Sequence, residues 1–204
     1  GAATGWTDAS VKAGHGYVYG VYPANSCGRG RGAWTDYVYT TPLAPPSASA
    51  TRVSDNRNTV TWSLPHDGVS GGEWQTHTLV QVERSVDGGA WSRVWESKAN
   101  LPGSGYVRSW ADATTSADHS YRYRVRLGNP AGWSGYAATG TVANTPAAPA
   151  FSRIARTGTD SISATLSNAS RTATGTQVER SSDGGKTWAR IHTLTAKATS
   201  FTDS

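Results

Sequence analysis

His119-Ser-Tyr121-Arg-Tyr123-Arg-Val125-Arg-Leu127 is the stretch of this sequence that decides the fold. Tyrosine, valine and leucine alternate with arginine through it, so that every second side chain is apolar. Successive side chains of a β-strand point to opposite faces, and the alternation therefore predicts a strand with one buried face and one solvent-facing face. No apolar pattern of helical spacing persists for three turns in the chain, so we expect an all-β protein.

The chain repeats itself at a domain-sized interval, which bounds the fold further. At an offset of 104 residues, Trp6-Thr7-Asp8 falls on Trp110-Ala111-Asp112, and matches continue without a gap until Pro45 falls on Pro149. At an offset of 96 residues, Gln81–Ser85 falls on an identical stretch that begins at Gln177. Repeats of this length indicate tandem copies of one module.

Two proline-rich segments, residues 41–46 and 145–149, favour extended and fairly stiff connections between the copies. We therefore predict that residues 1–42 are the C-terminal half of a module, that 43–146 form a complete module, and that 147–204 are the N-terminal half of another. A half module would leave sheet edges unpaired. We thus expect the polypeptide to continue beyond both ends, or else the halves of different copies to pair.

Seven short strands are predicted within the complete unit, since short alternating runs are separated by turn residues. The turn Val86-Asp87-Gly88-Gly89 is expected to close a hairpin, because its residues tolerate positive φ. Seven strands in about 100 residues is the signature of a β-sandwich. The predicted strands are 47–53, 58–64, 77–84, 90–97, 105–110, 120–128 and 135–143.

The proline-rich start of the unit, Trp62 on its second strand, the strand that begins near Tyr121 and the turn Asn129–Ser134 together resemble the fibronectin type III family. The resemblance covers essentially the whole chain. It implies tandem seven-stranded immunoglobulin-like sandwiches. It also implies a structural role for Trp62. Tyr121 and its repeat Tyr17 match the family's tyrosine corner, in which the tyrosine hydroxyl forms a hydrogen bond with the nearby backbone.

The composition excludes several other classes of protein. Charged residues make up 16% of the 204 residues, which is too few for a coiled coil or a charged disordered tail, and nine Trp and nine Tyr favour a packed core. Cys27 is alone, so disulfides do not hold the fold. No apolar run is long enough to span a membrane, and we expect no membrane insertion. The net charge of +5 permits an anionic partner, but we expect no nucleic acid to be bound.

The sequence offers no convincing catalytic, cofactor or metal site, and we predict that the protein is not an enzyme. Glu73 is the only suggestive loop acid, whereas glycosidases need two facing carboxylates. No two histidines have a metal-ligand spacing. The stretch Ser181–Trp188 resembles the Asp-box of sialidase propellers, but that box is itself a structural turn, and we interpret it as a hairpin.

Three groups of residues are candidates for surface contacts. Arg122, Arg124 and Arg126 share one strand face, which is either a solvated face, with Arg124 opposite Glu83, or a site for an anionic partner. Arg29 and Arg31 lie in a glycine-rich basic stretch that is expected to be a flexible loop absent from the second copy. Tryptophans in or near loops and an edge strand could instead stack on sugar rings; these are Trp74, Trp91 and Trp95.

The hairpins of the type Asp-Gly-Gly-x-Trp and the Tyr-x-Tyr-Arg-Val strand resemble fibronectin type III modules of phage minor tail, fibre and decoration proteins. The resemblance implies a non-enzymatic structural or adhesive part of a virion. Its expected partners are other virion proteins, copies of itself or a host cell-surface glycan. Two alternatives remain open: an accessory segment of a secreted carbohydrate-active enzyme, and a bacterial surface adhesin located at the cell surface.

Overall fold

The computed structural model describes residues 5–45, 47–65, 78–97 and 107–204. In these ranges the secondary structure consists of β-strands and turns, and no described helix is long and apolar enough to cross a membrane. The first segment contains β1 (Gly16–Tyr17), β2 (Gly20–Val21), β3 (Ala24–Asn25), β4 (Gly28–Arg29), β5 (Ala33–Trp34) and β6 (Val38–Tyr39). The middle segment contains β7 (Ala48–Ser54), β8 (Arg57–Trp62), β9 (Leu79–Val86), β10 (Ser92–Ser97), β11 (Ser109–Asp112), β12 (Ser120–Asn129), β13 (Gly132–Trp133), β14 (Ala137–Ala138) and β15 (Val142–Ala143). The last segment contains β16 (Ala150–Arg156), β17 (Ile162–Ser167), β18 (Gly175–Arg180), β19 (Ala189–Thr195) and β20 (Ser200–Asp203).

The middle segment folds as a sandwich of two antiparallel sheets. One sheet has the order β11-β8-β7. The other has the order β10-β9-β12, and β13, β14 and β15 all pair with the far edge of β12. Counted along the module, the first, second and fifth strands form one sheet, and the third, fourth, sixth and seventh form the other.

The predicted seventh strand, 135–143, contains β14 and β15, and β13 lies just before it. Two hydroxyl groups interrupt the pairing of this stretch with β12. The backbone N–H of Leu127 donates to Ser134 Oγ at 2.9 Å, and that of Tyr123 donates to Thr139 Oγ1 at 3.0 Å. The reverse bonds, from the N–H groups of Ser134 and Thr139 to backbone carbonyls of β12, remain. The chain therefore stays along β12 while regular pairing is broken twice.

The core lies between the two sheets of the middle segment and is centred on the inner face of β12. Trp62 is 4% exposed within it, and its ring centroid lies 6.2 Å from that of Trp95. Trp95 lies on β10, which is the edge strand of its sheet as the sequence predicts. A bulge between Arg93 and Trp95 shifts the register of β10, and Trp95 packs against the core. The buried core side chains are Val60, Trp62, Leu64, Val80, Val82, Tyr121, Tyr123, Val125 and Leu127.

A buried polar network closes one end of this core around Asp112, which is fully buried. Its Oδ2 accepts hydrogen bonds from Arg84 Nη1 at 2.8 Å and from the Tyr123 hydroxyl at 3.0 Å. Its Oδ1 accepts from the backbone N–H of Thr114 at 3.0 Å. Burial opposes ionisation, but the bonds from Thr114 and Arg84 prevail and lower the pKa of Asp112.

The first segment repeats the pairing of the middle one at an offset of 104 residues. Gly16 pairs with Tyr39 where Ser120 pairs with Ala143. The pairs β2–β5 and β3–β4 correspond in the same way to β12–β14 and β12–β13. Identical register in two stretches of different sequence shows that the repeat is a repeat of structure.

The last segment repeats the other strands. β16, β17 and β20 form a sheet in the order β16-β17-β20, and β18 and β19 form a hairpin. Ala164, Leu166 and Val178 are buried in this segment. The predicted fold class, an all-β chain of tandem immunoglobulin-like sandwiches, is confirmed.

Trp6 differs in burial from Trp110, the residue that it matches in the repeat. Trp6 is 77% exposed, whereas Trp110 is on β11 and packs against the core. The difference follows from neighbours: β11 pairs with β8, while no described strand of the first segment pairs with residues 5–8.

We predict that Asp112→Asn lowers the free energy of unfolding of the middle sandwich by about 1–3 kcal/mol, because buried donors lose their charged acceptor. Amide hydrogen exchange in β8, β9 and β12 measures this value. Asp160→Asn, at an exposed position of the last segment, is the matched control and should leave the exchange unchanged. Equal protection in both variants would contradict the role given to the network.

The same network predicts a pH dependence. Because folding lowers the pKa of Asp112, its contribution is complete above the pKa of an unfolded aspartate, about 3.9. It is lost as the pH falls through the lower folded value. The stability difference between wild type and Asp112→Asn should therefore shrink in acid, as measured by hydrogen exchange or thermal unfolding between pH 7 and pH 3.

Candidate functional site

The outer face of β12 carries a continuous stack of alternating arginine and aromatic side chains, which we call the ladder. It comprises Arg122, Trp91, Arg124, Tyr136, Arg126 and Trp133. The guanidinium carbon of Arg124 lies 4.7 Å from the Trp91 ring centroid and 4.0 Å from that of Tyr136. Arg126 lies 4.8 Å from Tyr136 and 4.6 Å from Trp133. These distances are within the range of cation–π attraction.

Acidic and amide groups on β9 and β10 hold the inner rungs of the ladder. Glu83 accepts hydrogen bonds from Arg124 Nε at 2.7 Å and from the Tyr136 hydroxyl at 2.7 Å. Burial opposes ionisation, but these two donors prevail and lower the pKa of Glu83. Gln81 Oε1 accepts from Arg126 Nε at 2.8 Å, and Gln81 also donates to Glu96. Arg124 and Arg126 are thus fixed on their Nε sides.

Arg122 is held less firmly than the other two arginines. Its register partner on β9 is Ser85, which carries no charge, and its guanidinium carbon lies 6.0 Å from the Trp91 centroid. Its side chain is exposed and makes no hydrogen bond or ion pair with a described residue. The end of the ladder at Arg122 therefore keeps all of its N–H donors for solvent or a ligand.

The ladder accounts for several of the predicted contact residues. Arg122, Arg124 and Arg126 share one face, and Arg124 lies opposite Glu83 as predicted. Trp91, a candidate for stacking on sugars, lies against Arg122 and Arg124, and its binding of a sugar stays a prediction. Trp74, and Glu73 beside it, lie outside the described residues.

Trp133 and Tyr136 are members of the ladder that sequence reasoning missed. Both lie beyond the turn after β12, where the sequence pattern predicts a turn and a strand. The available signal was the hairpin itself. Residues after a tight turn run back along the preceding strand, so aromatic side chains there lie beside the arginines of β12.

The first segment keeps one rung of the ladder with its two partners exchanged. Tyr22 stands at the position of Arg126, and Arg29 at that of Trp133. The Arg29 guanidinium carbon lies 5.5 Å from the Tyr22 ring centroid. A cation and an aromatic ring therefore still face each other, although each has moved to the other strand of the hairpin.

The expectation that the glycine-rich basic stretch is a flexible loop absent from the second copy is wrong. Residues 24–29 form the hairpin β3–β4, which has the same pairing as residues 128–133. In both copies the asparagine before the turn accepts a backbone hydrogen bond at 2.9 Å, from Cys27 in the first and from Ala131 in the second. Arg29 lies in β4, and Arg31 is exposed just beyond it.

The two predicted hairpin turns are confirmed. Asp87 and Gly88 have φ values of 51° and 75°, and the N–H of Gly89 donates to the carbonyl of Val86 at 2.8 Å. In the second turn, Asp183 accepts from the backbone N–H of Thr187 at 2.9 Å. The bonds from Thr187 and Ser181 lower the pKa of Asp183 to about 2. The Asp-box-like stretch is thus a turn between β18 and β19 that is stabilised by hydrogen bonds among its own residues.

A tyrosine corner occurs in both copies, at the two positions that the family resemblance implied. The Tyr121 hydroxyl accepts a hydrogen bond from the backbone N–H of Ser116 at 2.8 Å. The Tyr17 hydroxyl accepts from Lys12 in the same way, also at 2.8 Å. The bond fixes the loop that leads into β12, and that loop carries Asp118.

Asp118 connects the middle sandwich to the last segment. Its Oδ1 accepts hydrogen bonds from the hydroxyl of Ser170 and from the backbone N–H groups of Arg171, at 2.9 Å, and Thr172, at 3.3 Å. It also accepts from the N–H of Ala147 in the linker at 3.3 Å. The bond from Ser170, together with those backbone donors, lowers the pKa of Asp118 to about 2. We call this contact the Asp118 joint.

Backbone geometry and linker contacts prepare the Asp118 joint. Asp118 has a φ of 59°, in the left-handed region that aspartate tolerates better than most residues. Its counterpart in the first segment is Gly14, with a φ of 78° and no carboxylate. The start of the linker is fixed by Asp55, whose Oδ1 accepts from the N–H of Thr145 at 2.8 Å.

The middle sandwich also contacts the first segment. Asn129 Nδ2, at the end of β12, donates to the carbonyl of Thr40 at 2.8 Å. The same side chain accepts the turn bond from Ala131, so its orientation is set from both sides. Among the described residues, no three His, Cys, Asp or Glu side chains are grouped as a metal site.

Comparison with known proteins finds likeness in solved structures. No protein-family model matches the chain, and no curated protein matches it significantly. Titin domains A168-A170 share 17% identity, cover 66% of this chain with a TM-score of 0.43, and the chain spans 43% of their length. The twitchin kinase region from C. elegans shares 20% identity over 52% of the chain, which spans 17% of it, with a TM-score of 0.40. The chicken CNTN1 FN1-FN3 domains share 15% identity over 93% of the chain and 65% of their own length, with a TM-score of 0.37.

We predict that Arg124→Gln lowers the free energy of unfolding of the middle sandwich by about 1–2 kcal/mol, because two cation–π contacts and the Glu83 pair are lost. Arg122→Gln removes the same charge from an exposed end of the ladder and should cost less than about 0.5 kcal/mol. Hydrogen exchange in β9 and β12 measures both. A larger effect at Arg122 would contradict the division into fixed and free rungs.

We predict that Asp118→Gly loosens the last segment from the middle sandwich while leaving both folded. Glycine retains the left-handed φ and removes only the carboxylate. Small-angle X-ray scattering should show a broader distribution of distances for Asp118→Gly, and Asp160→Gly is the control. Since the joint holds the pKa of Asp118 at about 2, the wild-type curve should not change between pH 7 and pH 4. An unchanged curve for Asp118→Gly would contradict the joint.

Proposed function

We propose that the chain is a non-enzymatic structural and adhesive module of a phage virion, tail-associated or decorating, which supports assembly or contact with the host surface. The observation that carries the structural part is the Asp118 joint. A carboxylate of one sandwich binds a hydroxyl and two backbone amides of the next segment. A sandwich and a following segment joined in this way keep a fixed spacing, which a scaffold or a fibre requires.

The linkers support the same role. Pro42 and Pro45 of the first linker are buried. Asn129 binds Thr40 just before them, and Asp55 binds Thr145 at the start of the second linker. Short proline-rich connections that are bonded to the neighbouring sandwich resist bending more than free linkers do. The chain is therefore suited to extend rather than to collapse on itself.

The virion assignment is supported by the resemblance of the Asp-Gly-Gly-x-Trp hairpins and of the β12 sequence to modules of phage tail and fibre proteins. It is tested by mass spectrometry of purified particles. Tryptic peptides 85–93 and 172–180 should co-sediment with intact particles and be absent from an uninfected culture. If the peptides are found only in a secreted polypeptide that also carries a hydrolase domain, the virion assignment is contradicted. The chain would then be an accessory segment of a secreted enzyme.

The structural role has its own test in particles. Particles that carry Asp118→Gly should assemble less well or infect less efficiently than those with Asp160→Gly, because only the first change removes the joint. Yield and plaque number per particle measure the two effects. Equal yield and infectivity of the two variants would contradict a need for fixed module spacing.

A further inference from the structure

We infer that the outer face of the ladder binds an acidic polysaccharide of a cell surface. The inference deepens the proposed function by naming the surface and the ligand class, and rests on that function for its biological setting. Its basis is the row of guanidinium groups on Arg122, Arg124 and Arg126. Alternate residues of a strand are about 6.8 Å apart, so the three arginines leave the backbone of β12 at regular intervals on one face.

The donors that remain free point to an anionic ligand. Arg122 makes no hydrogen bond or ion pair with a described residue, and Arg126 uses only its Nε, on Gln81. Their terminal N–H groups are paired with no described residue. Planar guanidinium groups bind carboxylate and related anions through two parallel hydrogen bonds. A row of such groups favours a polymer with repeated anions over a single small anion.

Contacts with the aromatic rings order the arginine side chains before a ligand binds. The guanidinium carbon of Arg124 lies over the rings of both Trp91 and Tyr136. That of Arg126 lies over Tyr136, and that of Arg122 lies 6.0 Å from the Trp91 centroid. Side chains already ordered by stacking lose less conformational entropy on binding. Among the described residues, the hydrogen-bond partners of Arg124, Arg126 and Tyr136 all belong to the same sandwich.

The surrounding charges favour a polysaccharide over nucleic acid. Glu83 and Glu96 lie beside the row, and Glu83 neutralises Arg124. Nucleic-acid affinity depends on many uncompensated contacts to phosphates, which this face does not supply. An acidic polysaccharide carries fewer charges, separated by sugar rings. Its carboxylates would meet the free edges of Arg122 and Arg126.

The test uses the full 204-residue chain and alginate, a polyuronate, in isothermal titration or biolayer interferometry. We expect binding that weakens with added salt and is absent with neutral dextran. Arg122→Glu should weaken binding about tenfold or more, since it removes one anion contact and adds repulsion. Arg153→Glu makes the same change of charge on exposed β16 and should have little effect. Hydrogen exchange of both variants should match wild type, which shows that the fold is intact.

Four results would overturn the inference: no binding of alginate, equal binding of dextran, equal losses in Arg122→Glu and Arg153→Glu, or tighter Arg122-dependent binding of single-stranded DNA. These results are separable from a failure of the proposed function. Absence of the peptides from particles would contradict the virion assignment but would not change the measured binding of alginate. Failure to bind alginate would contradict the polysaccharide site but would not change the measured association of the chain with particles.

Discussion

The alternation of side chains along the single strand β12 is the constraint on which the rest of the structure depends. Its inner face supplies Tyr121, Tyr123, Val125 and Leu127 to the core, and its outer face supplies the arginines of the ladder. Because a strand has a period of two, a shift of one residue would bury the arginines and expose the core. The same strand lies between the Asp118 joint, which precedes it, and the hydrogen bond from Asn129 at its end to Thr40 of the first segment. Core, surface and inter-module geometry are thus fixed by one register.

The two faces tolerate change differently. The first segment keeps the pairing of the middle one residue for residue, together with the tyrosine corner and the bond from Tyr19 to Asp8 that matches Tyr123 and Asp112. Its outer face, in contrast, replaces Arg124 by Gly20 and exchanges the partners of the Tyr22–Arg29 rung. Backbone pairing and the Tyr–Asp hydrogen bond are thus kept in both copies, whereas the outer face differs between them.

Most of the fold could be predicted from the sequence because it is local and periodic: the alternation of β12, the glycine turn at Asp87 and the repeat at 104 residues. The features that could not be predicted depend on contacts between distant residues. The bulge beside Trp95 moves that ring into the core, and nothing in the sequence of β10 marks it. The ladder needs the position of Trp133 and Tyr136 across a hairpin. The Asp118 joint links residues about fifty positions apart, through backbone amides that have no sequence signature.

The central claim, that the bonds around β12 fix neighbouring modules in one arrangement, is tested most directly by residual dipolar couplings of the whole chain in a weakly aligning medium. Couplings from residues 48–143 and from residues 150–203 should fit one alignment tensor of common magnitude and orientation. Two alignment tensors of clearly different magnitude would show that the segments move independently. That result, together with the absence of scalar couplings across the Asp118 hydrogen bonds, would contradict the account.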